Sequence, residues 1–323
     1  MGSLVLIGIV CLLSACASFG RHSASPPTTA FVVTDDGSEF ADHAPVFLHQ
    51  NDDKSFNRIG QAAARYDRNG KEQIYIDAAS PTVYVQQRHF SGRGGRYTNL
   101  IYRVHFERVP VRWVPFHVTA GKNMGLFLIV TLDQRDRAVL VTTVHTCGCY
   151  LAFVPTDILP QEAYPDDWEL PNQKVFGEML PAQLRLAGES DEVRTLAVYL
   201  RGGTHRVMDL RLVHRSELKD RYRIQRMSIE PIEALKTLSL DAGTTSFYHS
   251  SGPRKGYVKN TFKPFELLLL SWWVLDLNVG IDKEYGDSQQ TGTVFYTSLK
   301  PWRRKASDMW EFVDFLTYWG WKL

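Results

Sequence analysis

The sequence predicts a β-dominated fold, all-β or α+β, with an antiparallel sheet system and a mixed C-terminal part that ends in an amphipathic helix. Short runs rich in β-branched and aromatic residues recur between residues 73 and 213, separated by glycines and polar loops. After about residue 226 the runs become longer and follow a helical period. We therefore expect a β-rich region at 31–225 and a mixed region at 226–323, packed on the same domain.

The first sixteen residues have the pattern of an export signal. An apolar run at 4–13 is followed by Ser14-Ala15-Cys16. The run is too short to span a bilayer, which needs about 20 apolar residues. The segment Leu13-Ser14-Ala15-Cys16 resembles the lipobox of bacterial lipoproteins. The resemblance implies that residues 1–15 are a signal peptide, cleaved before Cys16, and that Cys16 is lipidated.

A flexible tether is predicted at residues 16–30, because the segment contains Ser, Thr and the pair Pro26-Pro27. In the sorting pattern of Gram-negative lipoproteins, Ala17 in place of Asp after the lipidated cysteine favours the outer membrane. The resemblance thus implies a protein of the cell envelope, held by its lipid on the outer membrane and facing the periplasm. The membrane is then a partner through this lipid, and a protein partner stays open.

The composition is that of an ordinary globular protein and excludes a strongly charged partner. Hydrophobic residues make up 44% of the chain and charged residues 22%, with a formal net charge of +2. The basic residues are scattered, apart from the group Arg303-Arg304-Lys305. We expect no nucleic-acid partner, because the chain has neither a basic stripe nor a nucleic-acid-binding motif.

Several strands and two hairpins are predicted from the pattern. Gly202-Gly203 predicts a tight turn, since glycine readily adopts the positive φ that such turns need. A five-residue polar loop at 133–137 joins the two strands of the other hairpin. The predicted strands are 73–77, 82–86, 100–106, 124–132, 138–145, 194–201 and 204–212.

Three helices are predicted in the C-terminal region. Residues 228–240 form one, interrupted near Pro231, and residues 266–277 form a buried helix, with a strand as the alternative. Residues 307–322 form the amphipathic helix, for which Ser307 is the expected N-cap.

One constellation carries candidate chemistry. His145-Thr146-Cys147-Gly148-Cys149-Tyr150 follows directly on the strand at 138–145. If the strand continues, His145, Cys147 and Cys149 point to one face. An imidazole and two thiols on one face would suit Zn²⁺ or Cu(I). A closed site needs a fourth ligand; His205 is the first candidate, and His117 and His105 are the others.

The cysteine pair has other interpretations. Cys147 and Cys149 are the thiols that remain once Cys11 leaves with the signal and Cys16 is lipidated. In an extended segment their Cα atoms would lie roughly 6.5 Å apart, near the limit for a disulfide. Gly148 could turn the backbone and close the ring, and a strained disulfide is often reducible and functional. Alternatively, the pair forms a plain structural disulfide, packs as two small apolar residues, or supplies a nucleophile next to His145 or His205.

Three blocks resemble a family of uncharacterised bacterial proteins: Tyr102-Arg103-Val104-His105-Phe106, the block from His145 to Tyr150, and Thr204-His205. The resemblance covers about residues 73–300 and implies shared architecture, with no activity attached. No GxSxG, HExxH, Walker A or dinucleotide fingerprint is present.

The leading functional hypothesis is a non-enzymatic envelope lipoprotein. Its β-rich domain would bind or scaffold a partner, with a structural metal or disulfide at Cys147 and Cys149. The alternative is a metal- or thiol-dependent envelope enzyme that uses His145, Cys147, Cys149 and His205. A third hypothesis gives the aromatic C-terminal part, 306–323, a role in contacting lipid or a partner protein.

Overall fold

A computed structural model describes residues 29–114, 116–186, 194–241 and 243–323. The predicted signal peptide at 1–15 and the lipidation of Cys16 lie outside the described residues. Thr29 and Ala30, which the sequence placed at the end of the tether, belong to the first strand instead. Both side chains are buried, because they pack inside the sheet.

The expectation of a β-dominated fold is confirmed by the element order. The strands are β1 (Thr29–Val33), β2 (Val46–His49), β3 (Ile59–Tyr66), β4 (Glu72–Asp77), β5 (Thr82–Gly92), β6 (Gly95–Val109), β7 (Gly121–Leu132), β8 (Ala138–His145), β9 (Ala152–Pro155), β10 (Asn172–Val175), β11 (Glu178–Pro181), β12 (Arg194–Leu200), β13 (Val207–His214), β14 (Arg223–Pro231), β15 (Leu238–Leu240) and β16 (Gly243–Thr245). The helices are α1 (Glu39–Asp42), α2 (Arg215–Arg221), α3 (Pro264–Val274), α4 (Ser288–Thr291) and α5 (Phe312–Tyr318).

Twelve of the described strands form one sheet, and its topology is mixed. The order is β13-β12-β2-β1-β14-β5-β6-β7-β8-β9, with β3 paired to β6 and β4 to β3. The run from β5 to β9 is antiparallel, as predicted. The pairs β1–β14, β2–β12 and β5–β14 are parallel, so the prediction of an antiparallel sheet system is confirmed only in part. Two of these pairs involve β14, which inserts between β1 and β5 and runs parallel to both. The third pair joins β2 to β12.

The central strands β6 and β7 separate two cores. Successive side chains of a strand point to opposite faces. Leu100 and Tyr102 of β6 therefore join one core, while Ile101 joins the other together with Ile129 of β7. Helix α5 covers the second core with Phe312, Phe315 and Leu316, all of which are buried.

Both predicted hairpins form, one with a longer connection than expected. Strands β7 and β8 pair antiparallel across the polar loop at 133–137, as predicted. Strands β12 and β13 also pair, but their connection runs from Arg201 to Arg206 rather than through two glycines. Gly203 has a φ of +84° and His205 a φ of +57°. The buried side chain of His205 holds this longer loop against the sheet.

The helix predictions hold only in part. Residues 228–240, predicted as a helix, form the end of β14, a short 3-10 helix (Ile232–Lys236) and β15. The C-terminal helix is shorter than predicted and begins after Glu311. Ser307 is not its N-cap, because its buried hydroxyl accepts a hydrogen bond from the Ser298 amide instead.

The predicted helix at 266–277 corresponds to α3, but the expectation that it is buried was wrong. Of its side chains only Glu266 and Val274 are buried. None of the helices that the structure describes is long and apolar enough to cross a membrane.

Candidate functional site

The candidate site lies in the turn that follows β8. The strand ends at His145, whose amide donates to the Cys149 carbonyl at 2.9 Å. The Gly148 amide donates back to the His145 carbonyl at 2.7 Å. Gly148 has a φ of +95°, and a Cβ there would overlap the carbonyl oxygen of Tyr296. Only glycine satisfies both conditions, because it tolerates positive φ and has no Cβ.

This turn brings the two cysteine sulfurs together. The Sγ atoms of Cys147 and Cys149 lie 2.8 Å apart, and both side chains are free thiols. A disulfide bond is about 2.05 Å long, so a small movement of either side chain brings the sulfurs to the distance at which an oxidant could join them. Cys147 is buried and Cys149 is half-buried. The strand does not continue through the motif, so the pair meets across a turn rather than along one strand face.

The predicted histidine ligands do not join the pair. The Nε2 of His145 lies 3.2 Å from the carbonyl oxygen of His205. The His205 ring is engaged at both nitrogens, by His49 at 3.1 Å and by the Arg108 carbonyl at 3.0 Å, and it stacks on Phe106. Of the four predicted site residues, Cys147 and Cys149 therefore come together through their sulfurs. His145 and His205 belong to a separate network of contacts.

His105 and His117, the other two candidates for the fourth ligand, also make their contacts away from the cysteines. His105 accepts a hydrogen bond from Arg103 at 2.9 Å, and Nδ1 of His117 contacts the Pro110 carbonyl at 3.1 Å. Within the described part of the chain, no group of three or more His, Cys, Asp or Glu side chains is arranged to hold a metal ion.

Four buried charged residues surround the cysteine pair, and the sequence analysis missed all of them. The Lys263 ammonium lies 3.0 Å from the Asp282 carboxylate and 3.8 Å from that of Glu266. The Cys149 thiol faces Glu266 at 3.8 Å, and the Lys283 ammonium donates to the Cys147 carbonyl. Lys263 directly precedes α3, Glu266 lies in its first turn, and the other two lie in the loop after it, more than 100 positions away from the motif. No local signal in the sequence links them to the cysteines.

Asp282 connects this charge cluster to the sheet. Its carboxylate accepts hydrogen bonds from the Thr146 hydroxyl and, at 3.2 Å, from the Gly125 amide of β7. The Lys283 amide donates to the Thr146 carbonyl at 2.9 Å. The cysteine turn is thus fixed by the sheet and by the loop that carries Asp282 and Lys283.

The two thiols have opposite shifts in pKa. Burial raises the pKa of Cys147, but the hydrogen bond from Cys149 and the nearby Lys263 charge outweigh it, so the net shift is downward. The hydrogen bond to Cys147 and burial together hold the pKa of Cys149 well above its usual value. Two groups so close titrate as a pair. The pair therefore loses its first proton more readily than an ordinary thiol does and holds its second proton more tightly.

The pKa values of two charged neighbours, Lys263 and Glu266, are shifted as well. Burial alone would lower the pKa of Lys263, but Asp282 and the cysteine pair outweigh it and hold that pKa above its usual value. Burial raises the pKa of Glu266, although Lys263 opposes the shift. The site thus contains a persistent buried cation and a carboxyl group that can accept a proton closer to neutral pH.

A cavity of about 390 Å³ opens beside the pair, with Cys147, Cys149 and Glu266 in its wall. Its volume falls in the range of small-molecule sites, which is about 300–1,000 Å³. Most of the remaining lining is apolar and includes Val175, Phe176, Leu270, Val279, Leu299 and Trp319.

Fold and site together define a β-dominated protein with a dithiol in the wall of an apolar cavity. Comparisons with protein-family models, with characterised proteins and with solved structures find no match to this chain.

Proposed function

We propose that the chain is a thiol-dependent redox protein in which Cys147 and Cys149 exchange electrons with the disulfide or dithiol of a substrate. The observation that carries the proposal is the 2.8 Å contact between the two sulfurs in the wall of a cavity. Lys263 supports it, because a nearby cation favours the thiolate, which is the reactive form of cysteine.

The exchange proceeds in two steps. The thiolate attacks one sulfur of a substrate disulfide, whose S–S bond breaks, and the leaving sulfur takes up a proton. The second protein sulfur loses its proton and attacks the resulting mixed disulfide. The substrate leaves as a dithiol and the protein holds a Cys147–Cys149 disulfide. The substrate has gained two electrons from the pair and two protons, one from the second protein thiol and one from solvent. A second dithiol molecule returns the pair to its reduced form.

The surroundings assign separate roles to the two cysteines. Cys149 is the more exposed sulfur and is the one that a substrate in the cavity reaches first. Because the pKa of Cys149 is raised and that of Cys147 is lowered, Cys149 attacks after it passes its proton to the Cys147 thiolate across their 2.8 Å contact. Cys147 is buried behind it and is placed to close the intramolecular bond. Glu266 faces the Cys149 thiol, and its negative charge disfavours a second negative charge on that sulfur.

A redox titration of the pair tests the proposal. The full-length chain would carry Cys11→Ser and Cys16→Ser, so that only the candidate pair can react. After incubation with oxidised dithiothreitol, we expect intact mass to show the loss of two hydrogens and of both alkylation sites. The Cys147→Ser and Cys149→Ser variants should show neither change.

Two outcomes would contradict the redox function. One is a pair that stays fully alkylatable at every ratio of oxidised to reduced dithiothreitol. The other is co-purification of about one Zn or Cu that Cys147→Ser releases, since this would assign the sulfurs to the metal site considered from the sequence.

We also propose that the protein acts in the cell envelope, anchored by a lipid on Cys16. The lipobox-like segment Leu13-Ser14-Ala15-Cys16 supports this placement. Intact mass of the membrane fraction should show a chain that begins at Cys16 and carries acyl groups. A chain that begins at Met1 and carries no lipid would overturn the placement and leave the redox chemistry untouched.

A further inference from the structure

Helix α3 presents an apolar face to solvent. Its inward side carries Glu266, Leu270 and Val274, spaced four residues apart, and these reach the cavity or the interior. Its outer side should be polar in a water-exposed helix. Instead it is formed, with the turn that follows, by large hydrophobic side chains. This apolar face comprises Leu268, Leu269, Trp272, Trp273, Leu275 and Leu277.

The exposure of these side chains is large. Leu268 is 73% exposed, Trp272 70% and Leu277 78%. The surface continues beyond the helix, because the Trp113 ring contacts Phe265 of α3 at 5.5 Å, and the neighbouring Val114 is exposed. Contiguous apolar surface of this kind marks an interaction site rather than ordinary protein surface.

The rim of the apolar face is basic. Arg304 donates a hydrogen bond to the Val274 carbonyl at the end of α3, and Arg303 and Lys305 beside it are exposed. Asn278 donates to the Pro253 carbonyl at 3.1 Å, which brings the exposed Arg254 to the other side of the turn.

Carboxylates do not balance these cations on the helix and its flanks. In the described segment 262–282, Glu266 and Asp282 are buried. Asp276 is half-buried and accepts a hydrogen bond from the Tyr296 hydroxyl at 2.6 Å. The face therefore combines exposed Leu and Trp with a positive rim.

We infer that this face docks on the surface of an anionic lipid bilayer. Tryptophan rings favour the headgroup level, and helices that lie in the interface carry an apolar side bordered by Lys and Arg. The positive rim complements anionic headgroups. A second copy of the chain fits less well, because a two-fold contact would bring together two identical faces that both have a positive rim. The inference rests on α3 and is independent of the redox proposal.

Vesicle flotation tests the docking. The full-length chain with Cys11→Ser and Cys16→Ser, which cannot be lipidated, would be mixed with vesicles of phosphatidylcholine and phosphatidylglycerol in equal parts. We expect Trp272→Glu combined with Trp273→Glu to weaken binding at least tenfold. The matched control is Tyr66→Glu combined with Leu170→Glu, which replaces two exposed apolar side chains elsewhere and should bind like the parent. Pure phosphatidylcholine vesicles should bind the parent less.

A second measurement does not depend on an acidic substitution. Brominated acyl chains quench tryptophan that enters the bilayer, so they should quench the parent more than a variant with Trp272→Phe and Trp273→Phe. Equal flotation of the parent and the glutamate variant, or equal quenching of the parent and the phenylalanine variant, would overturn the inference. So would a lipid-free dimer that the glutamate variant converts to monomer, since that result assigns the face to a second copy.

Discussion

The ammonium of Lys263 lies 3.0 Å from the carboxylate of Asp282, and neither side chain reaches solvent. Burying both charges costs several kcal/mol for each ion before their attraction is counted. An apolar pair of similar volume would often be at least as stable. The pair sits beside the cysteines, where Lys263 lowers the pKa of Cys147 and Asp282 opposes that shift. An effect on the thiols explains the place of Lys263 in the fold better than stability does.

Replacing Lys263 tests this assignment. Lys263→Met leaves Asp282 and Glu266 buried without their cation, which should lower the free energy of unfolding by about 3–5 kcal/mol. The variant should also raise the pKa of the cysteine pair, because the thiolate loses its nearest positive charge. Denaturant unfolding and the pH dependence of iodoacetamide alkylation measure the two effects. Lys259→Met, which removes a more exposed pair with Glu72, should leave the alkylation profile in place.

Glu266 should oppose ionisation of the pair. Its carboxylate is close to both sulfurs and raises the pKa of each. Glu266→Gln keeps the shape and removes the charge, so alkylation should reach half its maximal rate at a lower pH than in the parent. Glu311→Gln, a change at an exposed residue, is the control. An unchanged profile in Glu266→Gln would show that this carboxylate does not act on the thiols.

Gly148 should be irreplaceable in the turn. Gly148→Ala places a Cβ against the Tyr296 carbonyl and forces a non-glycine residue to a φ of +95°. Strain of this kind costs about 1–3 kcal/mol. We expect unfolding at lower denaturant and a slower closure of the Cys147–Cys149 disulfide. Gly243→Ala meets nothing within 4 Å and should change neither measurement.

Acid should destabilise the protein through its buried histidines. Burial lowers the pKa of His49 and of His145 to about 4, from an ordinary value of 6.5. Between those values the unfolded chain binds protons that the folded chain does not, so stability is full above pH 6.5 and falls as the pH drops towards 4. The loss between pH 7 and pH 5 should be about 2 kcal/mol for each group.

Urea unfolding at pH 7 and at pH 5 measures this dependence. His49→Gln should reduce the difference between the two pH values, because it removes one of the buried histidines whose pKa is lowered. His89→Gln replaces an exposed histidine and should leave the difference unchanged. If the parent protein is equally stable at both pH values, the prediction that buried histidines with a lowered pKa destabilise the fold in acid is wrong.

The sequence by itself determined much of the local structure. The β-branched runs predicted β5, β7 and β8, since alternation and residue type are local properties of a strand. Cys147-Gly148-Cys149 likewise showed that a turn could join the two thiols, because only glycine permits that backbone. These inferences needed no knowledge of distant residues.

Tertiary structure decided the rest. The pattern around 228–231 could not reveal that β14 runs parallel between β1 and β5, because a strand's neighbours are chosen by contacts far away in sequence. The apolar run of α3 predicted a helix but not its exposure to solvent. Hydrophobicity alone does not show whether another part of the chain packs over a helix. Lys263 and Asp282 came to the cysteines only through folding. A charge acts through space over a few ångströms, and the separation of two residues along the chain does not show whether they lie that close in the fold.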